Sequence, residues 1–345
     1  MPIPPVQPRV RKGVRRWESA GLRALTVGQL YDAAFGIYRK RGWELVRLTL
    51  IPSAFVFAVL LLGYELVVKD LLTTGTAQDA IAELMHLGGT LVLLFVLVAP
   101  PLLVSYALMV GVIGQWVAER TVGREPVPSA LWSSVTRKLP TLCGIVGFVL
   151  LYSLLPLGIA LLFLVFSALA SDTLVAPLTA ILGIVGLLVG PILGLIVLGR
   201  YAMAPVVALQ ENVGARTAIR RARYLSGEVT IGERVRIPRM DNALTGMFLV
   251  VLLLQLVYWA SFAIPVGWLV DSLQTSGYAV DSTLARVLYQ GLSLLAMYAA
   301  FVLLHPVAIA FSVLAYFDRR IRIEGLDIEL LAADARRKET AEFEV

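Results

Sequence analysis

Long apolar runs dominate the chain, and each is long enough to form a helix that crosses a bilayer. The six runs cover residues 48–68, 89–118, 139–170, 174–199, 244–270 and 284–317. A transmembrane helix needs about 20 apolar residues to cross a hydrocarbon core of about 30 Å. All six runs reach that length, and the longer ones are expected to tilt, kink or protrude. The pattern therefore predicts an all-α fold, a polytopic transmembrane bundle of six spans.

A shorter amphipathic segment precedes every second apolar run. The three segments are residues 26–41, 129–138 and 215–225. Each places apolar side chains on one face at helical spacing and basic side chains elsewhere. Thr26 and Gln29 form a capping-box pattern at the first helix start, and Ser129 is expected to cap the second helix. The chain is thus predicted to form three hairpins, each preceded by an amphipathic helix that lies in the interface or packs under the bundle.

Several prolines and glycines lie within the apolar runs. The expected kink sites, where proline removes a backbone donor and clashes with the preceding turn, are Pro100, Pro101, Pro156, Pro191 and Pro306. The fourth run also carries Gly183, Gly186, Gly190 and Gly194. Their spacing permits a helix break, but small residues at such intervals favour close helix packing.

Residues 226–242 interrupt the third repeat between its amphipathic helix and its first span. Polar and apolar residues alternate over 228–231 and over 234–237, which is compatible with a small hairpin around Gly232. A solvated loop is the favoured interpretation.

Composition and loop charge then set the environment and the orientation. Hydrophobic residues make up 58% and charged residues 16% of the chain, whereas a soluble domain carries roughly 25% charged residues. The mean hydropathy is +0.81. Basic and acidic loops alternate, so the positive-inside rule predicts a multi-pass protein of the cell (inner) membrane with both termini cytoplasmic. The net charge of +6 lies at the ends of the apolar runs, which gives no indication of a nucleic-acid partner.

The same patterns divide the chain into three parts. Residues 1–24 are Pro-rich and basic without an apolar core, and they are predicted to be a disordered cytoplasmic tail. Residues 25–331 hold the six-helix transmembrane domain, and residues 332–345 form a charged cytoplasmic tail.

Three stretches carry a resemblance to a known family. Residues 25–39 read LTVGQLYDAAFGIYR, residues 218–227 read AIRRARYLSG, and residues 315–331 read AYFDRRIRIEGLDIELL. Together they resemble the membrane domain of the glycerophosphoryl diester phosphodiesterase type, a family of six-span membrane proteins. The resemblance implies a fold and a membrane location. The hydrolase domain that names the family is missing and residues 226–242 are longer than expected, so no activity is carried over.

Candidate chemistry is sparse. The two histidines are His86 and His305, and the chain contains no HExxH, Gly-rich phosphate loop or GxSxG. No catalytic residue, cofactor or metal ligand is therefore assigned, and the protein is expected not to be an enzyme. Cys143 lies alone in an apolar run and is interpreted as a small buried hydrophobe.

Polar residues within the spans are the default functional candidates. Gln255, Gln290 and His305 are candidates to line a solute path. Hydrogen bonds that join helices are the favoured role for Gln255 and Gln290. His305 is a candidate proton shuttle, but a bond to a neighbouring carbonyl is the favoured interpretation. The remaining ones lie near span ends and are expected to snorkel to the interface: Glu65, Gln115 and Arg200.

Basic residues at the ends of helices are candidates for contact with lipid or a partner. They are Arg216, Arg220 and Arg223 before the fifth span, and Arg319, Arg320 and Arg322 after the sixth. A structural role is favoured for the second group. The leading hypothesis is a non-enzymatic protein that organises membrane lipid, anionic lipid above all, or a membrane-protein partner. The alternative is a transporter or channel for a small or lipid-like solute, with a polar cavity near the midplane.

Overall fold

The computed structural model describes residues 24–63, 80–169, 175–231, 235–275 and 282–325. Over these residues the chain forms nine α-helices and one antiparallel pair of strands. The elements are α1 (Val27–Gly63), α2 (Ala80–Thr121), α3 (Pro128–Arg137), α4 (Leu139–Leu169), α5 (Val175–Tyr201), α6 (Ala204–Gln210), α7 (Ala215–Ser226), β1 (Val229–Ile231), β2 (Val235–Ile237), α8 (Asp241–Thr275) and α9 (Ser282–Glu324). The predicted tails lie outside the described residues apart from Ala24.

The described helices confirm the predicted polytopic all-α bundle. Six segments are long and apolar enough to cross a membrane: Val27–Val59, Val98–Thr121, Leu139–Ser167, Val175–Gln210, Asp241–Ser272 and Gly291–Glu324. The helices pack as three hairpins, α1 with α2, α4 with α5, and α8 with α9. Each hairpin is preceded by one of the three amphipathic segments, which form the start of α1, α3 and α7.

Helix α1 combines an amphipathic helix with a span. Its backbone leaves helical geometry at Arg41, with φ of −137° and ψ of 20°, which is where the amphipathic pattern was predicted to end. The capping box is confirmed, because the Thr26 N–H donates to Gln29 Oε1 at 3.0 Å and the Gln29 N–H donates to Thr26 Oγ1 at 3.3 Å. Leu30 and Ala34 are fully buried on the face that packs into the bundle.

Helices α2 and α9 form the centre of the bundle. In their most apolar stretches 61% and 56% of residues are buried, against 11% in α4 and 17% in α5. Most of the buried side chains lie toward the end of the bundle that carries α6, α7 and the strands. Helices α4 and α5 therefore turn most of their surface outward, as expected for helices solvated by lipid tails.

Close backbone contact joins α4 and α5. A Cβ atom on Gly194 would lie 2.6 Å from the Ser153 carbonyl oxygen, and one on Gly186 would lie 2.6 Å from the Ala160 Cβ. Gly183 and Gly190 meet the same helix one or two turns away. Helix α5 stays continuous through this stretch, so the glycines serve packing and not a helix break, which was the favoured interpretation.

Two local predictions need correction. Helix α3 begins at Pro128, not after Ser129, and no side chain caps it, because a proline at the first helical position has no N–H group to satisfy. Short helix α6 was not foreseen. Met203 directly before it and its residues Ala204 to Ala208 are all buried, and the apolar pattern alone is typical of a continuation of the fourth span. The helices run through their prolines without a break, and the expected bends remain predictions.

The favoured loop over residues 226–242 is wrong, because strands β1 and β2 pair there. Val229 lies opposite Ile237 and Ile231 lies opposite Val235; Gly232 itself is outside the described residues. Val229 and Ile237 are buried, while Thr230 between them is exposed. An isolated two-stranded hairpin is marginal in water. Packing of the Val229–Ile237 pair against the bundle supplies the stability that the sequence pattern did not reveal.

Candidate functional site

The amphipathic segments, α6 and the β1–β2 hairpin meet at one end of the bundle, which is called the basic end below. The last turns of α9 connect these parts, since their side chains bond to the chain before α1, to α7 and to the loop after β2. Tyr31 adds a further link, because its hydroxyl donates to the Ala243 carbonyl at 2.9 Å.

Arg319 is the central side chain of the basic end. It is 1% exposed, and it donates to three carbonyl oxygens, those of Leu225 at 2.5 Å, Gly227 at 2.5 Å and Pro238 at 2.8 Å. The first two lie at the C-terminal end of α7, where unpaired carbonyls carry partial negative charge. Arg319 therefore ties α7 and the strand pair to α9. Its guanidinium is inside the protein, so Arg319 is not the lipid contact for which it was a candidate; a structural role was the favoured interpretation.

Asp318 and Arg322 hold the chain just before α1. Asp318 is 2% exposed, and its Oδ1 accepts the Leu25 N–H at 2.7 Å. Arg322 donates from Nη2 to the Leu25 carbonyl at 2.5 Å and from Nε to Asp318 Oδ2 at 2.9 Å. Both backbone polar groups of one residue are thus bound by the end of the last helix.

A closed ring of polar side chains joins the α6–α7 connection to α9. Arg221 bonds to Glu211 at 3.1 Å and to Glu324, and Arg320 bonds to Glu324 at 2.8 Å. Tyr316 closes the ring, because its hydroxyl donates to Glu211 at 3.2 Å and accepts from Arg320 Nη1 at 3.5 Å. Partial burial alone lowers the pKa of the Arg221 guanidinium, but the two carboxylates raise it, and the net shift is upward. Arg320 and Arg322, proposed from sequence as lipid contacts, both bond to protein groups.

The outer face of α7 has the opposite character. Ala218, Ala222 and Leu225 are fully buried on its inner face. Arg216, Arg220 and Arg223 are exposed on the other side. Among the described residues none of the three has an ion-pair partner. This face confirms the predicted amphipathic division of α7 and leaves three positive charges available to an external anion.

A polar cavity of about 270 Å³ lies at the basic end between the end of α2 and α3. Its walls include Gln115, Glu119 and Glu125. Gln115 accepts a hydrogen bond from Gln210 Nε2 at 2.9 Å and donates to Glu119 at 3.1 Å. Gln115 therefore bonds within the protein, where the sequence predicted snorkelling to the interface. Glu65, assigned the same behaviour, lies outside the described residues.

Of the intramembrane candidates, His305 has the most described contacts. It is buried, its Nε2 lies 2.9 Å from the Tyr106 hydroxyl, and its ring stacks on Phe301 with centroids 4.7 Å apart. His305 thus forms a hydrogen bond, but to a hydroxyl and not to the neighbouring carbonyl that was favoured from the sequence. The Gln255 side chain is half-buried, and its Nε2 has no hydrogen-bond partner among the described residues. The Gln290 side chain lies outside the described part of the chain.

A second cavity is narrow and apolar and is called the apolar slot. It has a volume of about 40 Å³ and lies where the three hairpins meet, with walls from Tyr106, Val149, Tyr201, Phe248 and Ile309 among others. Neither His305 nor Gln255 lines either described cavity. Neither of these two cavities is therefore the polar midplane cavity, lined by Gln255 or His305, that the transporter alternative predicts.

Fold and composition define the class of this chain as a polytopic, all-α integral membrane protein. Its described cavities contain no cluster of three histidine, cysteine, aspartate or glutamate side chains that could hold a metal ion. No family model, no curated protein and no solved structure matches this chain.

Proposed function

We propose that this protein is a non-enzymatic organiser of membrane lipid that gathers anionic head groups at its basic end. The observation that carries the proposal is the division of arginines at that end. Arg221, Arg319, Arg320 and Arg322 bond to protein groups, whereas Arg216, Arg220 and Arg223 on α7 are exposed and lack an ion-pair partner among the described residues. Internal bonds therefore account for the first group and leave the second group available to an external anion.

The electrostatic attraction expected between these three arginines and an anionic membrane surface is large enough to support this role. A basic side chain near an anionic membrane surface contributes about 1 kcal/mol of attraction, so three give about 3 kcal/mol, or roughly a hundredfold enrichment of anionic lipid. We place the basic end at the cytoplasmic face of the cell membrane, in keeping with the positive-inside rule. The resemblance to the phosphodiesterase membrane-domain family agrees with a membrane role but adds no activity.

Two adjacent arginines on α7 provide a matched test. Arg220→Gln removes an exposed, unpaired charge, and Arg221→Gln removes a charge that is bound to Glu211 and Glu324. The lipid that co-purifies from membranes in mild detergent would be quantified by mass spectrometry. Arg220→Gln is expected to lower the ratio of anionic to zwitterionic lipid by about fivefold, as expected for 1 kcal/mol. Arg221→Gln should leave that ratio unchanged and lower thermal stability.

A triple variant with Arg216, Arg220 and Arg223 all changed to glutamine extends the test. It should lose nearly all of the anionic enrichment while retaining the unfolding temperature of the unaltered protein. An unchanged lipid ratio in this variant would refute the proposal. Loss of an acidic membrane protein from the preparation, with lipid unchanged, would transfer the role of α7 to a protein partner.

A further inference from the structure

The apolar slot lies at the junction of all three hairpins, and its wall is almost entirely apolar. Three wall residues carry a hydroxyl, and two of them bond elsewhere: Tyr106 bonds to His305, and Ser312 donates to the Ala308 carbonyl at 2.9 Å. The Tyr201 hydroxyl has no hydrogen-bond partner among the described residues. A polar solute would find few replacements there for its own hydrogen bonds. By volume, about 40 Å³ holds roughly three water-sized groups. The slot thus fits a short segment of a hydrocarbon chain.

Aromatic side chains connect the slot with the outer surface of the bundle. Tyr201 in its wall is 7% exposed, whereas Phe148 and Tyr152 on α4 are 41% and 46% exposed. The Phe148 ring lies 5.7 Å from the Tyr201 ring and 5.8 Å from the Tyr152 ring, measured between centroids. The rim of the slot therefore belongs to the surface that faces lipid tails.

Two arginines without a partner among the described residues, Arg200 and Arg216, lie near the part of the slot that is closest to the basic end. Arg200 directly precedes Tyr201, is half-buried, and has no ion-pair or hydrogen-bond partner among the described residues. A Cβ on Gly144 of α4 would lie 3.6 Å from the Ala215 Cβ, which places the start of α7 and thus Arg216 beside α4. Four residues of α4 line the slot, Ile145, Val146, Val149 and Leu150, and they lie one to six residues beyond Gly144, within about 9 Å along the helix axis.

We infer that the apolar slot binds the upper segment of one acyl chain of an anionic phospholipid whose head group contacts Arg200 and Arg216. The inference rests on the proposed function for its charged half and on the slot geometry for its apolar half. Because the slot begins one residue from Gly144 and ends about 9 Å further along the helix, it is within reach of the first carbons of an acyl chain whose phosphate lies at Arg216, whereas the chain end would lie further away. The occupant is a lipid because the wall is apolar, the rim faces the bilayer and the nearby free charges are positive.

Photocrosslinking tests the position of the chain directly. The full-length protein would be reconstituted in phosphatidylcholine vesicles containing a phosphatidylglycerol probe. One probe carries a diazirine next to the acyl ester, and the other carries it at the terminal methyl end. The near-ester probe is expected to label the α4 peptide around Ile145–Leu150 and the peptide containing Phe248, and the terminal probe is expected to label the outer parts of α4 and α5. Equal labelling of the slot peptides by the two probes in the unaltered protein would overturn the inference.

A matched pair of substitutions tests the slot itself. Val149→Phe fills it, and Val257→Phe makes the same change at a position of α8 that is 64% exposed. Val149→Phe should lower near-ester labelling of the slot peptides at least about fivefold, the low end of the effect of overfilling a packed site, while Val257→Phe leaves it unchanged. Equal labelling in the two variants would refute the slot.

A separate experiment tests the contact between the lipid head group and the two arginines. Arg200→Gln combined with Arg216→Gln should reduce labelling by the phosphatidylglycerol probe to the level given by a phosphatidylcholine probe of the same design. If both probes label the unaltered protein equally, head-group recognition fails, even if the chain segment in the slot is supported. If anionic lipid still responds to Arg220→Gln but slot labelling is absent, the proposed function is supported and the slot inference is refuted.

Discussion

Replacing Arg319 by methionine gives the sharpest test of how the basic end is held together. Methionine keeps much of the apolar stem and removes all three hydrogen bonds that the guanidinium donates to Leu225, Gly227 and Pro238. Leu225 is fully buried, so its carbonyl would lose its bond from Arg319 without access to water, which costs about 1–3 kcal/mol. Gly227 is half-buried and Pro238 is exposed, so water can replace those bonds at about 0.5–1 kcal/mol each.

The sum is a loss of roughly 2–5 kcal/mol of unfolding free energy. At about 2 °C for each kcal/mol, the midpoint of thermal unfolding in detergent should fall by roughly 4–10 °C. Because membrane proteins often unfold irreversibly, all variants would be heated at the same scan rate. Limited proteolysis adds a local readout, since the β1–β2 hairpin should be cleaved sooner once Arg319 no longer binds its flanks.

Arg220→Met is the matched control, as it makes the same change at an exposed position of α7. Surface substitutions of this kind usually alter stability by less than about 0.5 kcal/mol. If Arg319→Met and Arg220→Met unfolded at the same temperature with equal protection of the hairpin, the assignment of Arg319 as the connection between α7, the strands and α9 would be refuted.

Two further predictions concern helix packing and the start of the chain. Gly194→Ala should destabilise the α4–α5 hairpin by about 1–3 kcal/mol, because the new Cβ would lie 2.6 Å from the Ser153 carbonyl oxygen. Gly158→Ala, with no atom within 4 Å of the new Cβ, should instead stabilise α4 by up to about 1 kcal/mol; equal unfolding temperatures for the two variants would contradict the packing argument. Asp318→Asn removes the ion pair with Arg322 and weakens the bond from the Leu25 N–H. Proteolysis N-terminal to α1 should therefore accelerate, while an unchanged cleavage rate would show that Arg322 alone holds Leu25.

Part of the candidate site could be predicted from the sequence, and part of it could not. The amphipathic face of α7 follows from helical spacing, and the exposed Arg216, Arg220 and Arg223 are found where that spacing puts them. The six basic residues at the two helix ends nevertheless look alike in sequence. A structural role was favoured for the three after the sixth span, but only the fold shows what they bind, because Arg319 meets the end of α7, a segment 92 to 94 residues away in the chain. Long-range contacts of this kind leave no local periodic signal.

The sequence by itself determined the spans, the three hairpins and the amphipathic helix before each, since hydrocarbon-length apolar runs and 3.6-residue periodicity are local properties of the chain. Tertiary structure decided the rest. It formed the β1–β2 pair, buried α6, bonded Gln115 within the protein and placed the apolar slot between helices that are distant in sequence. These features depend on which surfaces meet in three dimensions, because a buried polar group or a short strand pair is stable only when its neighbours supply bonds and packing.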